Sequence, residues 1–98
     1  MNTSLLEREF SERFHNAIRQ SHDLGYYPNR FEQMLNELGA LSLSRKLVKS
    51  GELQDGLKDL AKLGRKDLNM GAIMLDPKFN ALFSVAERQA AEWRLGQI

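Results

Sequence analysis

The side chains best suited to acid–base catalysis, metal ligation or nucleophilic attack are few in this chain. There is no cysteine, and the two histidines are His15 and His22. Seven residues is two helical turns, so on one helix they share a side but stand about 10 Å apart, too far to ligate one metal ion directly. His22 beside Asp23 reads as an imidazole near the negative end of a helix dipole. Acidic pairs occur at Glu7/Glu12 and Asp55/Asp59, the second at i and i+4 on one helix face. A Mg²⁺ site needs a pocket and further oxygen ligands, and Lys58 and Lys62 read more simply as ion-pair partners of that pair. Gly51, Gly56 and Gly64 lack the strand–loop–helix setting of a phosphate-binding loop, and there is no HExxH or calcium-loop pattern. The expectation is a non-enzymatic chain with no metal, no cofactor and no evident small-molecule substrate.

Basic residues are the next candidates. The whole chain carries 14 Lys and Arg against 13 Asp and Glu, a formal charge of +1. That is weak for a non-specific nucleic-acid binder, whose affinity comes largely from neutralised phosphates. It is also too positive for a DNA mimic. Residues 42–66, however, hold seven basic and three acidic side chains. Expected helices at 29–38 and 42–49, joined through Gly39-Ala40-Leu41, loosely follow a helix-turn-helix, with Leu47 and Val48 as anchors and Arg30, Arg45, Lys46 and Lys49 outward. A looser phosphate contact would use Arg45, Lys46, Lys49, Lys58, Lys62, Arg65 and Lys66. This nucleic-acid-associated reading is the alternative. The first reading is a protein–protein interaction, adaptor or regulatory domain, with self-association included. Amphipathic aromatic residues are frequent interface anchors, and Tyr26, Tyr27 and Trp93 are placed there, with Arg30 and Arg65 on the rim. Trp93, between Glu92 and Arg94, is either a lid over the core or an exposed anchor.

These residues are positioned by helices punctuated with glycine. Leu6, Phe10, Phe14, Ala17 and Ile18 recur at helical spacing behind a Ser4–Glu7 capping box, predicting a helix over 5–23 that leaves through Gly25. Phe31, Met34, Leu35 and Leu38 define 29–38; Leu43, Leu47 and Val48 define 42–49, capped by Ser42. Leu53, Leu57, Leu60, Ala61 and Leu63 define 53–63, where Gly56 marks a close crossing. Short turns follow at 70–75, capped by Asn69, and at 78–83, opened by Asp76-Pro77. A second capping box, Ser84–Glu87, starts 85–95, a helix with Val85, Arg88, Ala91, Trp93 and Leu95, where Trp93 lies slightly off the stripe set by Val85, Ala86 and Gln89/Ala90. Phe10, Phe14, Phe31, Phe79 and Phe83 fall on the apolar stripes. β-Branched residues are scarce and nothing alternates with period two. The fold class is all-α: a single compact domain over 1–98, of five or six short helices.

At 98 residues, 42% hydrophobic and 28% charged, the chain has the composition of one globular domain. The start, MNTSLLEREFSERF, lacks the basic head and apolar run of a signal peptide, and no run of about 18 apolar residues occurs. Cytoplasmic placement, without a membrane partner, is the expectation.

Leu24-Gly25-Tyr26-Tyr27-Pro28-Asn29-Arg30-Phe31 with Met34-Leu35, then Asp55-Gly56-Leu57 with Leu60, Leu63-Gly64-Arg65-Lys66-Asp67-Leu68, and Leu82-Phe83 with Glu87 and Ala90 together resemble a widespread small helical domain of uncharacterised bacterial proteins. Its pattern runs GYxPTRFxxML, GLxxLxxxGRxDLTVExLVL and LFTxxExxxARxRL. The resemblance spans nearly the whole chain, mostly through core and cap positions, and implies an all-helical fold. The setting of such domains, sometimes near mobile or defence genes, implies a regulatory or adaptor role. Two positions depart from the pattern. Asn69-Met70-Gly71 stands where it has Thr-Val-Glu, which removes the acidic side chain. Asn29 replaces a threonine and is expected still to cap.

Overall fold

A computed structural model describes residues 4–50 and 55–97 of the chain, with side-chain placement for 4–49 and 59–97. Six α-helices run in the order α1 Ser4–Asp23, α2 Asn29–Leu38, α3 Ala40–Ser50, α4 Asp55–Lys62, α5 Met70–Met74 and α6 Val85–Gly96. Short 3₁₀ helices lie at Lys66–Leu68 and Pro77–Leu82. Among the described residues there is no strand, and the chain forms a single compact all-α domain. Its radius of gyration is 12.6 Å, matching the roughly 13 Å expected of a compact 100-residue globule.

The core begins on α1. Phe10 and Phe14, four residues apart on the stripe, are both fully buried with Ala17, and Leu6 and Ile18 flank them. The Phe10 ring lies 4.7 Å from Phe14, 5.1 Å from Phe79 and 5.2 Å from Phe83, the last two edge-on. Each such pair adds about 0.5–1.5 kcal/mol beyond area burial. These contacts bring the 3₁₀ helix at 77–82 onto α1. Two ion pairs at its edge hold it there: Arg13 to Asp76 at 2.8 Å and Lys78 to Glu9 at 2.8 Å.

The second organiser is α3, which packs against α1, α2, α5 and α6. Ala40, Leu43, Ser44, Leu47 and Val48 are buried along it. The Ser44 hydroxyl donates to Ala40 O at 2.8 Å, as Ser21 does to Ala17 O on α1 at 2.9 Å. That internal bond lets a polar residue sit in an apolar layer.

Several helix limits differ from expectation. α1 already includes Ser4, so its cap position falls on residue 3, outside the described residues. Pro28, with no side-chain bond, holds the cap position of α2, and Asn29 is the first helical residue, not the cap. α3 begins at Ala40, two residues before Ser42, because Gly39 at φ +80° turns the chain alone. α4 is seen from Asp55; Leu53, the side chain of Leu57 and the close crossing expected at Gly56 lie outside what the structure describes. α4 ends at Lys62 and the chain turns at Gly64, leaving Leu63 exposed rather than on the stripe.

The later caps are as read. Asn69 accepts from Gly71 N at 2.8 Å, Asp76 accepts from Lys78 N at 3.0 Å, and Ser84 and Glu87 exchange both bonds of a capping box. The close helix approach that is described lies at Gly71. A Cβ there would meet Asn69 Oδ1 at 3.2 Å and Ala91 O of α6 at 3.4 Å.

Two outcomes follow. Gly71→Val forces the capping Asn69 and α6 outward and lowers unfolding stability by about 2–3 kcal/mol, measured by urea denaturation. Asp76 is held below the usual carboxylate range by the Arg13 guanidinium and the Lys78 amide. Its contribution is therefore fully present above the unfolded value of about 3.9 and fades as pH falls through the lower folded value. Asp76→Asn keeps the cap acceptor and costs about 0.5–1 kcal/mol at neutral pH, screening included. In thermal melts that gap holds to about pH 5 and closes below about pH 4.

Candidate functional site

α6 has two faces with different chemistry. Ala91 and Arg94 are buried, with Glu87, Arg88, Ala90 and Leu95 half-buried beside them. The opposite face carries Val85, Ala86, Gln89, Glu92, Trp93, Gly96 and Gln97, all exposed. Val85 is 60% and Trp93 52% exposed. At 100° per residue these positions span an arc of about 140°, and Val85 and Trp93 lie about 12 Å apart along the axis. Glu92, at one edge of the arc, is its sole charged residue. Val85 is thus exposed rather than on the buried stripe, and Trp93 is exposed rather than a lid over the core. The buried stripe also takes in Arg94, which the sequence stripe did not include.

Arg94 is 2% exposed. Its Nη1 donates to Leu47 O of α3 at 2.8 Å. Leu47 belongs to the last turn of α3, where carbonyls lack intrahelical donors and the dipole is negative. A cation at that end is the physical reason an arginine is tolerated in the interior; burial still pushes its pKa down.

Behind Arg94 lies a cavity of about 330 Å³ between α1, the first turn of α2, α3, α4 and α5. Phe14, Ile18, Leu60, Leu68, Met70 and Ile73 supply apolar wall. Tyr26, Asn29 and Arg30 line it from the α1–α2 connection, and Arg94 from α6. The structure thus joins Tyr26 and Arg30 at one site. Tyr27 sits outside it, exposed, with its ring 4.8 Å from that of His22, whose Nε2 lies 3.1 Å from Glu32 Oε2. Arg65 is tied to Gln20 of α1 at 2.9 Å and to Asp67 at 3.1 Å. That pairing raises the pKa of Arg65 and holds the Asp67 carboxyl below its usual range. Trp93 occupies the outer face of α6, so the five residues expected to share an interaction surface divide between separate features.

The basic segment is likewise divided. Arg45 donates Nη2 to Leu82 O at 2.8 Å and places Nε 3.4 Å from Glu87 Oε2, capping the 77–82 turn and steadying the start of α6. Lys46, Lys49 and Lys62 are exposed and Lys66 is half-buried; the Lys58 side chain lies outside the described residues. Gly39 alone joins α2 to α3, shorter than the three or four residues of a helix-turn-helix. His15 is exposed on α1. Among the described residues no group of three or more His, Asp or Glu could hold a metal ion, and no helix is long and apolar enough to cross a membrane.

Comparison with protein-family models, with curated proteins and with solved structures finds no match to this chain.

The arginine assignments are separable by stability. Arg45→Gln removes a bond to a turn carbonyl and an ion pair and costs about 1–2 kcal/mol. Lys46→Gln and Lys49→Gln each stay within about 0.5 kcal/mol of the parent, all read by urea denaturation.

Proposed function

We propose that this chain is a non-enzymatic protein-interaction domain that docks a partner protein through the outer face of α6. One observation carries the reading: a strip whose single charge, Glu92, stands at its edge and which holds two large exposed apolar side chains, Val85 and Trp93, on a chain that is 28% charged. Interface centres are depleted of charge and enriched in tryptophan. Gln89, between Val85 and Trp93 on the strip, offers hydrogen bonds without a charge to desolvate. The matching partner is an amphipathic helix that lays an apolar face along α6. The Ser84–Glu87 box fixes the start of the helix, and Ala91 and Arg94 fix its roll, so the strip is rigid before it meets a partner. The phosphate-binding alternative draws less support, since Arg45 and Arg65 already hold structural partners.

The test is affinity capture with the intact chain, with and without nuclease and across a range of salt. The expected result is one protein recovered in stoichiometric amount, insensitive to nuclease and salt. It is lost from the Val85→Ser/Trp93→Ser variant, whose melting temperature is unchanged. Nucleic acid in the eluate, with recovery falling steeply with salt, contradicts the reading. Sedimentation of the chain as a dimer that the double variant dissociates does so as well, because the strip is then filled by a second copy.

A further inference from the structure

We infer that the cavity behind Arg94 binds a small amphipathic anion, an unbranched or aryl carboxylate, with its apolar body inside and its carboxylate at Arg30. This is independent of the docking face, which lies on the other side of α6.

Volume comes first. About 330 Å³ is at the small end of ligand cavities, which run roughly 300–1,000 Å³ with mainly apolar walls and a few convergent polar groups. The inner wall has that character: Phe14, Ile18, Met70 and Ile73 offer aromatic, branched and thioether surface. Phe14, Met70 and Ile73 form the floor and are almost closed to water, while the half-buried Ile18, Tyr26 and Phe31 keep apolar surface open to a guest.

Charge comes second. Among the described lining residues, two carry guanidinium groups, Arg30 and Arg94, and none carries a carboxylate. A cation in this space would meet only like charge. Arg94 is fixed in the wall by its bond to Leu47 O. Arg30 is exposed at the first turn of α2, with its planar fork accessible from solvent. A guanidinium fork matches a carboxylate through two parallel bonds. A single negative charge on an apolar body therefore fits better than a compact, multiply charged phosphate.

Calorimetric titration of the intact chain with octanoate, octanol and octylammonium tests this, since the three share an apolar body and differ in head-group charge. Octanoate is expected to bind saturably, octanol roughly five- to tenfold more weakly through loss of the charge-assisted bond, and octylammonium weakest. Arg30→Gln, an exposed position that leaves the fold intact, brings octanoate to the affinity of octanol without changing octanol. Ala17→Leu, which fills the cavity from α1, abolishes both. The Val85→Ser/Trp93→Ser variant binds octanoate as the parent does, so failure of the docking reading leaves this one standing. The proposal is overturned if octanoate does not saturate the chain, if octylammonium binds as tightly, or if Arg30→Gln leaves octanoate affinity unchanged.

Discussion

The ring of Phe10 touches Phe14 on its own helix and Phe79 and Phe83 from more than 60 residues further along the chain. Because Phe79 lies inside the short 3₁₀ helix at 77–82 and Phe83 directly follows it, fixing both also fixes where α6 starts, one residue after Ser84. The ion pairs from Arg13 and Glu9 lie at the edge of this cluster and follow from it. Removing a buried phenylalanine of this kind costs about 3–5 kcal/mol, a large share of the 5–15 kcal/mol by which domains are stable. Everything proposed for α6 depends on that anchoring.

Arginine has an unusual place in this fold. Arg45 and Arg94 both donate to backbone carbonyls at the ends of helical segments, Leu82 and Leu47. Each supplies a cation where the helix leaves acceptors open and negative. The charge of Arg45, which looked available for phosphate, is thereby committed to holding the 77–82 turn and α6 in register, and Arg94 ties α6 to α3. The same commitment lets α6 carry a buried guanidinium on one face and, on the other, a strip whose only charge is Glu92 at its edge.

Much of the fold was legible from spacing and caps. The Leu6–Phe10–Phe14–Ala17–Ile18 stripe, the exits at Gly25, Gly39 and Gly64, the Asn69 and Asp76 caps and the Ser84–Glu87 box all correspond to local rules, and the structure has them. The start of α3 was not legible, because a single left-handed glycine can turn the chain without the extra residues that Ser42 seemed to mark. The roll of α6 was misread for a related reason. Its stripe is poor in large apolar residues, and only the distant carbonyl of Leu47 makes Arg94 an inward position. Tyr26 and Arg30 were legible as candidates, but the cavity joining them to Met70 and Ile73 depends on contacts across the chain that periodicity does not encode.

Trp93 is the one tryptophan in the chain, so its fluorescence reports on the α6 face without interference. The central claim is that this indole points outward and is uncovered in the free protein. Emission and acrylamide quenching, measured from dilute to concentrated protein, test it directly. The account predicts emission close to that of an indole in water, ready quenching and no dependence on concentration. Blue-shifted emission that resists quenching at every concentration would place Trp93 over the core and contradict the account.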